Sequence, residues 1–225
     1  MIRYYKLNEM FETIQGEGVF TGVPSVFIRL QVCPVGCAWC DTKQTWDARP
    51  DDERVIGDIL LKQEDSPTWT SISAPELVEV YREKGFIAKH IVITGGEPCI
   101  YDLVALTQAF ENIGCRCQIE TSGTSEVKVT PDTWVTVSPK IAMKGKLPVL
   151  PQALERANEI KHPVGTEKDI EQLDVLLAGV NLKKGVEISL QPISQKSRAT
   201  KLCIDTCIER NWRLSIQTHK YLNIA

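Results

Sequence analysis

A chain of 225 residues with 43% hydrophobic content can bury one good-sized core or two small ones. Its 26 basic and 29 acidic residues leave a formal charge of −3, which excludes a long-range positive field for nucleic acid. The N-terminal stretch MIRYYKLNEMFETIQGEG lacks the apolar centre of a secretion signal and no apolar run approaches membrane-spanning length, so a cytoplasmic protein without a membrane partner is expected.

The first clear element is PSVFIRLQ, residues 24–31, where Val26, Ile28 and Leu30 alternate with Phe27, Arg29 and Gln31 as in a strand. A helix follows over 74–84, with Ser73 and Glu76 as a capping box and Gly85 as its stop. HIVIT (90–94) is a continuous apolar strand of the kind buried on both faces, and it runs into GGEP. A helix over 102–112, closed by Gly114, leads to the strand CQIE (117–120) and then TSGT. The strand WVTV (134–137) runs into SPK, and a helix over 152–158 leads to EIKH (159–162). Helices over 166–177 and 200–211 precede the strands GVEISLQ (185–191) and WRLSIQ (212–217), which run into PIS and THK.

This alternation predicts a parallel α/β sheet. The polar motifs all follow strands, and they are spread over many strand ends instead of gathering at one switch point. The expected fold is a partial, open β/α barrel with about six parallel strands, forming one domain over residues 1–225. Residues 43–72 break the rhythm as an insertion, in which Val55, Ile56, Ile59 and Leu60 would line one side of a short helix. The simplest reading is a decorated surface loop; a dimer contact or an electron-donor docking surface is the alternative.

Eight cysteines in a reducing compartment point to metal binding or catalysis rather than disulfides. Three of them, Cys33, Cys37 and Cys40, fall within CPVGCAWCDT. Structural zinc takes four closed ligands, and these three have no partner pair nearby. A [4Fe–4S] cluster normally takes four thiolates, so three leave one iron open to a small molecule. The remaining thiols have structural explanations. Cys115 and Cys117 share a strand face, Cys203 and Cys207 stack on a helix, and Cys99 near GGEP would close the open iron if it ligated. His90 and His162 read as core or loop residues.

The spacing C-x3-C-x2-C with Trp39 before the last thiol resembles the signature of the radical S-adenosylmethionine (SAM) superfamily, and TGGEP resembles that superfamily's second motif. The resemblance implies that SAM binds the fourth iron and is cleaved by the reduced cluster to a 5′-deoxyadenosyl radical. Within the superfamily, MFETIQGEG, FIRLQVCPVGCAWCDT, TGGEP, ETSGT, VSPK, LQPIS and QTHKYLNIA are similar to the 7-carboxy-7-deazaguanine synthase family. Members convert 6-carboxy-5,6,7,8-tetrahydropterin to 7-carboxy-7-deazaguanine with loss of ammonia, on the route to queuosine in tRNA. The resemblance further implies Mg2+, a homodimer, a flavodoxin-type electron donor and regeneration of SAM each turnover.

Carried over residue by residue, the resemblance assigns the cluster to Cys33, Cys37 and Cys40 and Mg2+ to the hydroxyl of Thr42. It assigns SAM to Trp39, Cys40, Asp41, Gly96, Ser138, Pro139, Lys140, Gln191, Pro192, Ile193 and Ser194, with Asp41 also within reach of the pterin. Substrate falls to Ile14, Gln15, Gly16, Glu17, Arg29, Thr94, His219 and the terminal Ala225, where the family usually ends in proline. On chemistry alone, Arg29 suits either a forked pair with the pterin carboxylate or a structural ion pair. Lys140 alone reads equally as a solvated charge. Two rivals stand beside this reading. A glycyl-radical enzyme activase shares the thiol spacing but acts on a protein, and a zinc-binding scaffold would have no activity.

Overall fold

The computed structural model describes residues 2–222 and 224; Ala225, expected to close over substrate, lies outside the described residues. The strands are β1 Tyr4–Ile14, β2 Pro24–Leu30, β3 Thr70–Ser73, β4 His90–Gly95, β5 Arg116–Thr121, β6 Trp134–Val137, β7 Glu159–Val164, β8 Glu187–Pro192 and β9 Arg213–Leu214. The helices are α1 Ile56–Leu60, α2 Ala74–Glu83, α3 Val104–Glu111, α4 Pro151–Arg156, α5 Glu167–Ala178, α6 Ser197–Arg210 and α7 Thr218–Leu222. One sheet of nine strands runs in the order β3-β1-β2-β4-β5-β6-β7-β8-β9. From β2 to β9 all neighbours are parallel, giving seven parallel strands where about six were expected. The sheet stays open, as an incomplete barrel must with this number of units.

Two strands were not anticipated. In β1 the register with β2 shifts between Leu7 and Glu9, and both Leu7 and Asn8 are buried. A bulge of this kind cancels the alternation by which a strand is read. β3 is only four residues long and belongs to the segment 43–72. It pairs antiparallel with Tyr4–Leu7, so that segment contributes an edge strand to the sheet as well as a surface loop. α1 forms as expected and buries Ile59, but Val55 is 69% exposed and lies off its packed side.

The predicted strand 212–217 shrinks to Arg213–Leu214 because the chain turns away into α7. α6 starts three residues early and ends where Asn211 adopts the left-handed conformation (φ 54°). α3 starts two residues late, and α4 ends two residues before Asn158. The capping box is present: the amide and hydroxyl of Ser73 both donate to Glu76, at 2.7 and 2.6 Å.

Strand alternation divides the sheet into two chemistries. On the convex face Ile28, Leu30, Ile91, Ile93, Ile119, Val135, Ile160 and Leu190 are fully buried against Leu77, Leu106, Phe110, Leu154 and Leu173 of the helices. Each such side chain contributes about 1.5–3 kcal/mol by leaving water. Cys99, Cys117, Cys203 and Cys207 fill this layer as small apolar residues. His162 is buried too, its ring sharing a hydrogen bond with Asp169 O (2.9 Å), and burial pushes its pKa down to about 4.

The concave face is polar even where it is dry. His90 and Gln118 share a hydrogen bond of 2.7 Å, and Gln118 Nε2 donates to Thr136 Oγ1 (3.1 Å). Thr136 and Ser189 donate in turn to the two oxygens of the buried Glu159 (3.3 and 2.8 Å). This belt crosses β4 to β8 and leaves every member partnered, the condition for a stable buried network. It forms the floor beneath the strand ends.

Candidate active site

The cavity opens at the C-terminal ends of the parallel strands, and all three thiols of the CPVGCAWC loop line it. The loop starts with a sharp turn at Val32, which holds φ at 84°, a conformation costly for a β-branched residue. The turn is pinned on both sides: Val32 N–H donates to Thr45 O (2.7 Å), and Val32 O accepts from Glu97 N (2.9 Å). Gly96 lies so close that a Cβ there would sit 2.1 Å from Val32 O and 3.2 Å from Cys33 Cβ. Glycine at that position is a requirement of the close approach between the two loops.

The thiols are free, and burial pushes Cys33 up to about 11 and also raises Cys37. Cys40 Sγ accepts from Thr42 N and from the indole Nε1 of Trp46, both at 3.4 Å. Thr42 Oγ1 sits between Cys40 Sγ (3.7 Å) and Gly95 O (3.5 Å). Trp39, 38% exposed, lines the rim.

The same cavity has a charged wall. Lys161 Nζ lies 2.6 Å from Glu17 Oε2 and 2.9 Å from Glu120 Oε2. Burial opposes the charge of Glu17, but the Lys161 ammonium outweighs it and draws the carboxyl down to about 2. Burial dominates for Glu120 and lifts it to about 7. Lys161 is held in its charged form: burial works against it, and the carboxylates of Glu120 and Glu17 overcome that. One cation thus serves two carboxyl groups, and the second negative charge is disfavoured, so Glu120 takes up a proton near neutral pH.

Of the expected residues, Glu17, Cys33, Cys37, Trp39, Cys40, Asp41, Thr42, Thr94, Gly96, Ser138, Lys140 and Gln191 to Ser194 line this one cavity. Lys140 is no solvated charge: its ammonium donates to Ser138 Oγ, and burial lowers its pKa. Gln15 stands behind the wall, its Nε2 donating to Gln118 Oε1 (3.3 Å) and its Oε1 accepting from Glu17 N (3.1 Å). Gly16 is pressed against His219, whose Nδ1 would be 2.4 Å from a Cβ there. Ile14 ends β1 half in solvent, and Pro139 does not line the cavity. Arg29 is likewise outside the lining; its guanidinium pairs with Glu9 and lies over Phe11 at 5.7 Å, the structural ion pair of the two alternatives.

Several residues carry the site without having been singled out. Glu97 is 1% exposed and accepts from Cys99 N (3.0 Å), Thr121 Oγ1 (2.6 Å), Ser122 N (2.8 Å) and Ser122 Oγ. It ties the loop after β4 to the loop after β5. Gln217 Nε2 donates to Glu17 Oε1 (2.8 Å) and Asp41 Oδ2 (3.3 Å), and Lys220 pairs with Asp41 at 3.0 Å. Glu120 and Lys161 occupy inward positions of strands that were recognised, so the alternation that flagged Arg29 would also have flagged them.

The sequence pattern of the radical SAM superfamily matches residues 27–135. A 7-carboxy-7-deazaguanine synthase of Escherichia coli strain K12 is 63% identical over 98% of this chain and 99% of its own length. A second, from Buchnera aphidicola, is 48% identical over the same shares. A crystal structure of QueE from Escherichia coli superposes with a TM-score of 0.93 at 61% identity, covering 95% of this chain and 94% of that one. The chain belongs to the 7-carboxy-7-deazaguanine synthase family. These relatives favour the synthase over the activase reading.

Family membership implies a [4Fe–4S] cluster and SAM, and the donor set fits both. Three reduced thiols face one cavity, two N–H groups point at the sulfur of Cys40, and glycine leaves the neighbouring strand end bare. Among the described residues no three His, Cys, Asp or Glu side chains stand close enough to share one metal ion. A cluster does not ask for that, since each thiolate binds its own iron.

Proposed function

We propose that this chain carries out the radical-mediated ring contraction of 6-carboxy-5,6,7,8-tetrahydropterin to 7-carboxy-7-deazaguanine, releasing ammonia, as a carbon–nitrogen lyase of 7-deazapurine synthesis. The observation that carries the reading is one cavity lined both by three thiols and by the Glu17–Lys161–Glu120 array. When bound, the cluster and SAM supply a carbon radical able to remove hydrogen from an unactivated position.

The protein's own work is to hold, orient and exclude water. Cys33, Cys37 and Cys40 would hold the cluster; Gly96, Ser138 to Lys140 and Gln191 to Ser194, with Trp39 and Asp41, would hold SAM. The hydroxyl of Thr42 would serve a Mg2+ ion that keeps most of its waters and leans on the substrate carboxylate. Ile14 to Glu17, Thr94 and His219 would position the pterin, and Arg29 would join them only by giving up Glu9. The carboxyl of Glu120, lifted to about 7, exchanges a proton at working pH and is suited to carry the one that leaves with ammonia. A homodimer and a flavodoxin-type donor complete the reading. No helix among the described residues is long and apolar enough to cross a membrane, which agrees with a cytoplasmic site of action.

The test is anaerobic incubation of the iron- and sulfide-loaded protein with SAM, Mg2+, reductant and the pterin, followed by product mass. The deazaguanine product is expected. Cleavage of SAM without that product, or appearance of a glycyl radical in a partner protein instead, overturns the proposal.

A further inference from the structure

Trp46 belongs to no motif discussed above, yet it touches two of the three thiol-bearing residues. Its carbonyl accepts from Cys33 N (3.0 Å), and its indole Nε1–H donates to Cys40 Sγ (3.4 Å). It also lines the cavity. One residue therefore bridges the first and last thiol-bearing residues of the loop, through its backbone to the amide of one and its side chain to the sulfur of the other.

That side chain is not free to drift. The turn that presents it, Lys43–Thr45, is strapped to the end of β2. Val32 N donates to Thr45 O at 2.7 Å. The fully buried carboxamide of Gln31 donates to Gln44 O (2.9 Å) and Asp47 O (2.6 Å), carbonyls two residues before and one residue after Trp46, and accepts from Asn8 Nδ2 (2.8 Å). Asn8 Nδ2 and Lys62 Nζ in turn both donate to Ser66 O and Thr68 O, anchoring the rest of segment 43–72 behind that turn. The segment is a brace whose working end is an indole N–H aimed at a cluster-ligand sulfur.

We infer that Trp46 is a positioning residue that sets the reduction potential of the cluster through an N–H···S hydrogen bond to Cys40. This rests on the function proposed above. Hydrogen bonds to cluster sulfurs withdraw electron density and favour the reduced state. A donor fixed by its surroundings loses nothing to reorganisation when the electron arrives.

The test compares Trp46→Phe with the wild type and with Trp69→Phe. Trp69 is another indole of the same segment, but it donates to Arg49 O (3.0 Å) and not to a sulfur. Each reconstituted protein is titrated for its cluster midpoint potential by spectroelectrochemistry with electron paramagnetic resonance detection, alongside iron and sulfide content. Trp46→Phe should hold a full complement of iron while its oxidised-to-reduced ratio at fixed potential rises about tenfold, a downward shift of about 59 mV for one electron; Trp69→Phe should match the wild type. An unmoved potential in Trp46→Phe, or an equal shift in Trp69→Phe, overturns the inference. Should Trp46→Phe fail to load, 3-benzothienylalanine at position 46 keeps the bicyclic ring shape and replaces the N–H with a sulfur that cannot donate. The same shift is expected there, and an unmoved potential or a failure to load overturns the inference again. A wild type that takes up no cluster refutes the proposed function, whereas a loaded wild type with an unmoved variant refutes only the role of Trp46.

Discussion

Replacing Lys161 by methionine removes the one cation between two carboxyl groups that are largely shielded from water. Its ammonium is 2.6 Å from Glu17 and 2.9 Å from Glu120, and the residue is 4% exposed. At an effective dielectric constant of ~20, each contact amounts to roughly 6 kcal/mol of Coulomb attraction. Several kcal/mol of this is offset, because the lysine no longer has to be desolvated. Glu120 relieves part of the remaining repulsion by taking a proton, since it already titrates at about 7. The expected net loss is ~3–5 kcal/mol, the usual consequence of removing one partner from a buried ion pair. For a chain of this length, that lowers Tm by roughly 6–20 °C. The assay is urea and thermal unfolding of the metal-free protein followed by circular dichroism at pH 6 and pH 8. Without Lys161 both carboxyls resist charging in the folded state, so the deficit should grow as pH rises. A variant within about 1 kcal/mol of wild type at both pH values would refute the idea that this lysine neutralises the wall.

The wild type should itself show two opposed pH limbs. Glu17, lowered to about 2, contributes stability that is present above its unfolded value of 4.5 and lost as pH falls through about 2. Glu120, raised to about 7, contributes stability that is present below 4.5 and lost as pH rises through about 7; Glu120→Gln should abolish that second limb in urea titrations, and an unchanged limb would count against the assignment. Gly96→Ala should force the loops after β2 and β4 apart, since the new methyl would meet Val32 O at 2.1 Å; iron content and SAM affinity measured by calorimetry are both expected to fall, and an unimpaired variant would show that the close approach is dispensable. Glu97→Gln turns one acceptor oxygen into a donor facing either Cys99 N and Thr121 or Ser122, and should cost about 1–3 kcal/mol in denaturant unfolding. Thr42→Ala should lose Mg2+ stimulation together with rate; loss of the metal dependence at full rate would remove Thr42 from the chemistry.

What could be read from the sequence followed what is local. HIVIT, CQIE, WVTV and EIKH stand alone as apolar or alternating runs, and each proved to be a strand, the first three with their polar motifs after them. The thiol loop and GGEP are contiguous, so their chemistry could be named before their geometry was known. β1 escaped because a bulge between Leu7 and Glu9 scrambles its alternation, and β3 because four residues carry no period. Glu97 stood inside a recognised motif, but its task is set by Thr121 and Ser122, 24 and 25 residues away. The Glu17–Lys161 contact spans 144 residues, a separation at which spacing in the chain says nothing. Arg29 shows the converse: its inward position was legible, while its partner Glu9 lay on a strand that was not.

The division of each strand into two chemistries has a consequence for anyone wishing to alter this protein. Along β4, Ile91 and Ile93 are packed among helices, while His90 and Thr94 on the alternate positions meet the floor and the cavity. A library confined to inward positions outside the ion-paired wall, such as Thr94 and Gln191, would rewrite what the pocket accepts while the scaffold is held by residues it never touches. Two vocabularies are interleaved in one chain, and directed evolution can edit one of them with the other left intact.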